Sequence, residues 1–307
     1  MTDYPNGLRT FRGAVAIITG GASGIGRALA EALADRGVEV VVADLQRELA
    51  DETAAMIRSR GAAATAAHLD VSDFAATACL VEETAKQCGR LDYMFNNAGI
   101  GILGEVRDHA IEDWNRIIDV NLLGVVHGVT AAYRVMLAQG FGHIVNTASV
   151  QGLVPTPLMA SYGATKHAVV ALSMSLRIEA AATGIRVSVV CPGVIRTPLL
   201  TGGRYGKVLL AASVERQRAY FERVRPMDPV RFAPRVLAQV ARNKAIIVVP
   251  YRYKAMWWID RLSPALGRLL AGRLFAFSKR TLTDSGDITA SSDATSRGGH
   301  GSDASRD

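Results

Sequence analysis

Residues 13–37 read GAVAIITGGASGIGRALAEALADRG, and this pattern decides the fold class. Residues 13–19 form an apolar run of strand length, GGASGIG cannot continue it, and RALAEALADRG repeats small and apolar residues at helical spacing up to Gly37. A strand that turns through glycines into a helix is the setting in which helix-start N–H groups can face a phosphate. Gly20, Gly24 and Gly26 permit a tight turn and close backbone approach, with Ser23 and Ile25 set among them. Their spacing is G-x-x-x-G-x-G and not G-x-G-x-x-G, so the turn needs support from the rest of the chain.

Working outward, residues 38–43 (VEVVVA) predict a second strand running into Asp44, 18 residues after Gly26. A carboxylate there accepts hydrogen bonds from adenosine ribose hydroxyls and repels a 2′-phosphate. Ala22, Ser23 and Leu45 offer no cation for such a phosphate, which favours NAD over NADP; Arg47 is the neighbour that could reverse this. A helix over ADETAAMIRSRG, a strand over AATAAHLDV and a helix over 74–87 follow. Asp70 and Val71 close that strand, where a polar tip and a backbone N–H can meet an adenine edge, although Asp70 could equally precede a helix N-terminus. Residues 91–96 are a fourth strand entering NNAG, helical material around 113–139 contains Asn121, and 142–149 and 185–191 are further strands. The alternation predicts an α/β fold: a Rossmann-like, doubly wound parallel sheet of about seven strands, with ligands at the strands' carboxyl ends.

The fifth strand ends at Ser149 and leads into SVQGLVPTPLMASYGATK, residues 149–166. Pro155 and Pro157 keep the middle in a loop, and a helix starting near Ser161 places Tyr162 and Lys166 four residues apart on one face. A phenol with a pKa of about 10 needs about 4 kcal/mol to act as a base near pH 7. One cation about 4 Å away supplies that at an effective dielectric near 20. The same spacing also marks a plain amphipathic helix face.

The 307 residues, 49% hydrophobic, suffice for one large domain. No apolar run of membrane-span length is evident and MTDYPNGLRTF lacks a signal-peptide core, so the expectation is a cytoplasmic protein. Cys79, Cys88 and Cys191 lack ligand spacing and read as reduced, buried or semi-buried thiols; the six scattered His give no metal site. Residues 201–280 hold 17 Lys/Arg against 4 Asp/Glu. That excess suits a solvated basic surface, an anionic lipid surface or an acidic substrate; it lacks a nucleic-acid motif, and no nucleic-acid partner is expected.

Taken together, T-G-x3-G-x-G at 19–26, NNAG at 96–99, Asn121, Ser149, Y-x3-K at 162–166 and PGVIRT at 192–197 resemble the short-chain dehydrogenase/reductase family. The resemblance implies a nicotinamide-dependent dehydrogenase or carbonyl reductase. It implies that Tyr162 exchanges a proton with the substrate oxygen and Ser149 hydrogen-bonds that oxygen. Lys166 would hold the nicotinamide ribose and lower the Tyr162 pKa, and Asn121 would hold a water leading from Lys166 to solvent. Thr197 and the Ile195 backbone, beside Pro192 and Gly193, would fix the carboxamide, while Asn97, Ala98 and Gly99 line the adenosine–ribose path. The alternatives are an NADPH-dependent carbonyl reductase and a non-catalytic NAD(H)-binding regulatory protein. The expected assembly is a homodimer or homotetramer.

Leu153, Val154, Leu158, Met159, Leu199 and Leu200 predict an apolar pocket for a secondary alcohol or ketone with a sizeable hydrophobic body, unless Arg204 or Lys207 folds inward. Gly202, Gly203 and Gly206 predict a mobile lid. A domain over 1–250, ending in a strand at 245–250, is followed by a basic extension, 251–280, and a polar tail, 281–307, expected to be disordered. In the extension Ser263–Pro264 reads as a helix start, and Trp257, Trp258 and several Leu lie among Arg and Lys. Such a helix covers protein or lies on a membrane surface.

Overall fold

Seven short apolar strands pair in parallel in the computed structural model, which describes residues 7–201, 203–210 and 213–283. With a separate two-stranded pair included, the strands among the described residues are β1 (Val15–Thr19), β2 (Glu39–Asp44), β3 (Ala64–His68), β4 (Tyr93–Asn96), β5 (Gly101–Leu103), β6 (Gly142–Thr147), β7 (Ile185–Pro192), β8 (Gly206–Val208) and β9 (Ile246–Val249). The helices are α1 (Gly24–Ala34), α2 (Arg47–Ser59), α3 (Phe74–Cys88), α4 (Ile111–Ile118), α5 (Gly124–Gln139), α6 (Ala160–Glu179), α7 (Val214–Arg223), α8 (Pro229–Ala241), α9 (Arg252–Leu262) and α10 (Pro264–Thr283). The order across the main sheet is β3-β2-β1-β4-β6-β7-β9, while β5 and β8 pair separately. The winding reverses between β1 and β4, which opens a crevice at their carboxyl ends.

Alternate residues of a pleated strand face opposite sides, and here both sides are apolar. Ala16, Ile18, Val40 and Val42 join Leu29 and Leu33 of α1, Ile57 of α2 and Phe232 and Leu237 of α8 in one core. Val15, Ile17, Val41 and Ala43 join Val81 of α3, Val129 of α5 and Val169 and Leu176 of α6 in the other. Each of the seven strands lies within a few residues of its expected place.

Several expectations need correction. The stretch Ile111–Gln139 is long and apolar enough to cross a membrane by length and composition, although no such run was expected. It comprises α4, a π-helical turn at Asp119–Leu123 and α5, and its inner side packs on the sheet and on α3. Cys191 is buried and Cys88 half-buried, but Cys79 is exposed. Of the lid glycines, Gly202 lies outside the described residues and Gly203 has room around it at φ +69. Gly206 is no hinge: it pairs with Gly101, and a Cβ there would strike the Gly101 carbonyl. Strands β5 and β8 were not foreseen, being too short to show a period. As expected, α10 begins at Pro264, after Ser263. It continues to Thr283, three residues into the segment expected to be tail; the rest of that segment lies outside the described residues.

Candidate active site

The turn after β1 is shaped for close contact. Gly20 has φ +62, and a Cβ there would lie 2.9 Å from the Ala98 Cα; Gly24 has φ +52, and a Cβ would lie 3.0 Å from Thr197 Cγ2. Helix α1 starts at Gly24 without a side-chain cap, so its first-turn N–H groups lack intrahelical acceptors. Thr19 Oγ1 accepts from the Asn97 and Ala98 N–H groups at 3.0 and 3.1 Å, tying the turn to the segment after β4. The resulting cleft of about 640 Å³ is lined by Gly20, Ser23, Gly24, Ile25, Asp44, Asp70, Val71, Asn97, Ala98, Gly99 and Thr197. Gly26 does not line it: a Cβ there would strike the Gly20 carbonyl, so this glycine serves helix–turn packing.

At one end of the cleft the Asp44 carboxylate accepts from Ala22 N–H and Gln46 N–H, both at 3.0 Å. Each oxygen keeps a further lone pair for a ligand hydroxyl. Arg47 is engaged with Asp51 on α2 and is not a cleft residue. Sequence reasoning missed that Arg204 lines this end and donates to Gln46 Oε1 at 2.5 Å. Asp70 lines the cleft and accepts from Ser72 N–H at 2.9 Å, whereas Asp73 caps α3.

A smaller cavity of about 140 Å³ shares Ile25, Thr197 and Leu199 with this cleft. Ser149, Met159, Tyr162, Pro192, Gly193, Ile195 and Leu200 line it, with Leu103, Val208 and Phe221. Leu153 and Val154 do not. Leu153 packs against the second core, Val154 is buried, and Leu158 is enclosed with Leu103 and Leu282, because the loop turns these three inward. Lys207 lines the cavity but is held by Asp113 at 3.0 Å.

Lys166, only 2% exposed, donates to the Thr147 carbonyl at 3.0 Å and lies 5.5 Å from the centre of the Tyr162 ring. The π-helical turn presents Asn121, whose amide clamps Ile100: Oδ1 accepts from Ile100 N–H at 2.8 Å and Nδ2 donates to Ile100 O at 2.9 Å. A Cβ on Gly99 would lie 3.2 Å from Asn121 Oδ1 and 3.4 Å from Lys166 Nζ, so both groups converge behind Gly99. Two supports went unread in the sequence. Asn96 donates to Asn146 at 2.8 Å and Asn146 to Ser173 at 3.0 Å, tying β4 and β6 to α6. Tyr253 of α9 lies so close to Gly193 that a Cβ there would strike its ring.

The electrostatics correct the sequence arithmetic. Burial pushes the Tyr162 phenol up to about 12, opposed in part by its hydrogen bond with Ser149. Burial likewise pushes Lys166 down to about 8. Desolvation therefore sets the direction for both groups, and the Lys166 ammonium is aimed at Thr147 O. Cys191, behind this pair, is pushed up to about 12 by burial and stays a neutral thiol.

A family model described as short chain dehydrogenase matches residues 14–205. Probable oxidoreductase EphD of Mycobacterium tuberculosis is 34% identical over 252 residues, covering 80% of this chain and 43% of that protein, so the chain spans less than half of that relative. A 3-alpha-(or 20-beta)-hydroxysteroid dehydrogenase of Mycobacterium bovis is 38% identical over 187 residues, covering 61% of this chain and 71% of that protein. Among solved structures, a short chain dehydrogenase/reductase from Burkholderia phymatum in complex with NAD superposes with a TM-score of 0.75 at 30% identity, covering 84% of this chain and 96% of that one. With the strand order, the glycine turn and the Ser149–Tyr162–Lys166 cluster, these matches show that the chain belongs to the short-chain dehydrogenase/reductase family of oxidoreductases.

Proposed function

We propose that this protein transfers a hydride between NAD(H) and a secondary alcohol or ketone with a sizeable hydrophobic body, with Tyr162 as general acid/base. The observation that carries this reading is that Ser149 and Tyr162 line a small apolar cavity that shares Ile25, Thr197 and Leu199 with a cleft of dinucleotide size. The residues fit the cofactor. Gly20 and Gly24 leave no room for side chains, α1 presents its first-turn N–H groups, and Asp44 stands at the far end. Bound NAD supplies the hydride acceptor and, when oxidised, a positive charge near the phenol.

The chain's own groups do the rest. Ser149 donates a hydrogen bond to the substrate oxygen and holds it beside Tyr162. In oxidation the Tyr162 phenolate accepts the hydroxyl proton; in reduction the phenol donates it. Lys166 stabilises the phenolate, and Asn121, fixed to Ile100 and beside Lys166 behind Gly99, is placed to hold a water that takes the proton onward. The cavity is large enough only for the reacting end of a large substrate, and Leu200, Val208 and Phe221 give that end apolar walls. The hydroxysteroid dehydrogenase relative supports the same size class.

A screen of hydrophobic secondary alcohols with NAD, and ketones with NADH, followed by absorbance of the reduced nicotinamide, tests this reading. Turnover of at least one pair is expected. Cofactor binding without turnover of any pair would favour a regulatory NAD(H)-binding role.

Arg204, beside Gln46, favours a second reading in which a 2′-phosphate is accepted. Asp44 opposes it, since two negative groups would share a partly desolvated site. NADH is expected to bind more tightly than NADPH, and Asp44→Asn to narrow the gap by about tenfold or more, consistent with loss of at least 1.4 kcal/mol of repulsion. Cofactor fluorescence titration measures both; tighter NADPH binding by the wild type would assign the site to Arg204.

A further inference from the structure

Helices α9 and α10 form a hairpin with two apolar sides. The inner side of α10 is Phe275, Ser278 and Leu282: Phe275 and Leu282 join Leu103 and Leu158, and the Ser278 hydroxyl bonds Tyr220 at 2.7 Å. A second stripe, Leu266, Leu270, Leu274 and Phe277, follows the same three- and four-residue spacing but begins one residue, about 100°, around the helix from Gly267. These four are 37–49% exposed, and Leu269 beside them is 54% exposed. On α9, Met256, Ile259 and Leu262 continue the apolar surface at three-residue spacing, with Trp258 46% exposed alongside. A soluble helix hides its apolar residues on one side. Among the described residues, this hairpin hides one side and leaves the other uncovered.

Charge decides what suits the uncovered side. Residues 251–283 contain seven Lys/Arg and one acid, Asp260. Asp260 faces α10 where a Cβ on Gly267 would strike its carboxylate, so it does not offset the outer charge. Arg268 and Arg273 are exposed on the same helix as the leucines. A two-fold contact between copies would press this excess against itself. An acidic surface that accepts apolar side chains between its charges fits instead, and the interface of an anionic bilayer has both properties.

We propose that the α9–α10 hairpin docks the protein on an anionic membrane surface, with Leu266, Leu270, Leu274, Phe277 and Trp258 entering the interface and Arg268 and Arg273 meeting lipid phosphates. Leu103, which the hairpin covers from within, also lines the smaller cavity. The docked face therefore lies on the side of the molecule from which that cavity is enclosed.

The test is co-sedimentation of the full chain with phosphatidylcholine vesicles, with and without phosphatidylglycerol, over a salt series, together with Trp fluorescence. The wild type is expected to bind the phosphatidylglycerol vesicles, with a blue-shifted emission and a partition that falls as salt rises. Arg268→Glu/Arg273→Glu and, separately, Leu266→Ser/Leu270→Ser are each expected to lower that partition by about tenfold or more while leaving melting temperature unchanged. Equal partition into neutral and anionic vesicles, no partition at low salt, or variants that bind as well as the wild type would overturn the proposal. So would sedimentation velocity showing that the leucine variant abolishes a wild-type dimer, which would assign the face to a second copy.

Discussion

Replacing Tyr162 with Phe is expected to lower turnover by about 10²- to 10⁴-fold, the usual contribution of a positioned acid/base, while NADH affinity stays within about twofold. The change removes one oxygen and keeps the ring in place over Lys166, 5.5 Å from its nitrogen. The hydroxyl contributes to the smaller cavity, whereas the dinucleotide-sized cleft is lined by other residues. Single-turnover kinetics and cofactor titration on the same preparation separate the two effects. Turnover unchanged in the variant would remove Tyr162 from the chemistry.

The second large effect belongs to Lys166. A cation about 5–6 Å from a phenolate favours it by about 3 kcal/mol at an effective dielectric near 20, and the Lys166 ammonium lies 5.5 Å from the centre of the Tyr162 ring. Lys166→Met is therefore expected to lower the oxidation rate near pH 7 by about 10²-fold and to move the rise in rate about two pH units towards alkali. Stability should respond differently. The folded-state pKa of Lys166, about 8, lies below its ordinary 10.5. Between these values the unfolded chain binds more protons, so wild-type stability rises with pH through that window. Below pH 8 the full cost of the buried charge, about 3 kcal/mol, is present. Methionine removes that cost but leaves the Thr147 carbonyl without its donor, which costs about 1–3 kcal/mol. Thermal unfolding at neutral pH should show a melting temperature unchanged or higher in an enzyme that is nearly inactive. A large fall would make the ammonium a structural support.

The same pair shows why local spacing was a partial guide. Four residues on a helix fix two side chains on one face, which the sequence states outright. The spacing does not say how much water remains or where the ammonium is aimed. Burial raises the phenol to about 12 and draws Lys166 down to about 8, so the chain's own charges do not bring Tyr162 near neutrality. The proposed acid/base role of Tyr162 therefore calls on a second positive charge beside the phenol, and oxidised NAD carries one. The arithmetic from spacing was sound for two solvated groups about 4 Å apart; the fold supplies a drier site and turns the ammonium to the Thr147 carbonyl.

Glycines divide in the same way. Gly20 and Gly24 line the cleft as expected, but Gly26 serves helix packing, and Gly206 is a strand residue whose hydrogen would be replaced at the expense of the Gly101 carbonyl. The pocket residues divide too. Met159, Leu199 and Leu200 face the cavity, while Leu153 and Val154 turn into the body of the protein. Leu158 is likewise enclosed; along an irregular loop no period tells inward from outward, so apolar character alone named all six.

What the sequence determined by itself was the parallel sheet, its strand positions, the glycine turn and the meeting of Ser149, Tyr162 and Lys166, because period and chain order are local properties that strand pairing merely executes. Only the tertiary structure decided the Tyr162 and Lys166 protonation balance, the place of Arg204 beside Gln46, and the uncovered face of α9 and α10. Each of these depends on desolvation and contact between segments far apart in the chain, and neither quantity is written in the order of neighbouring residues.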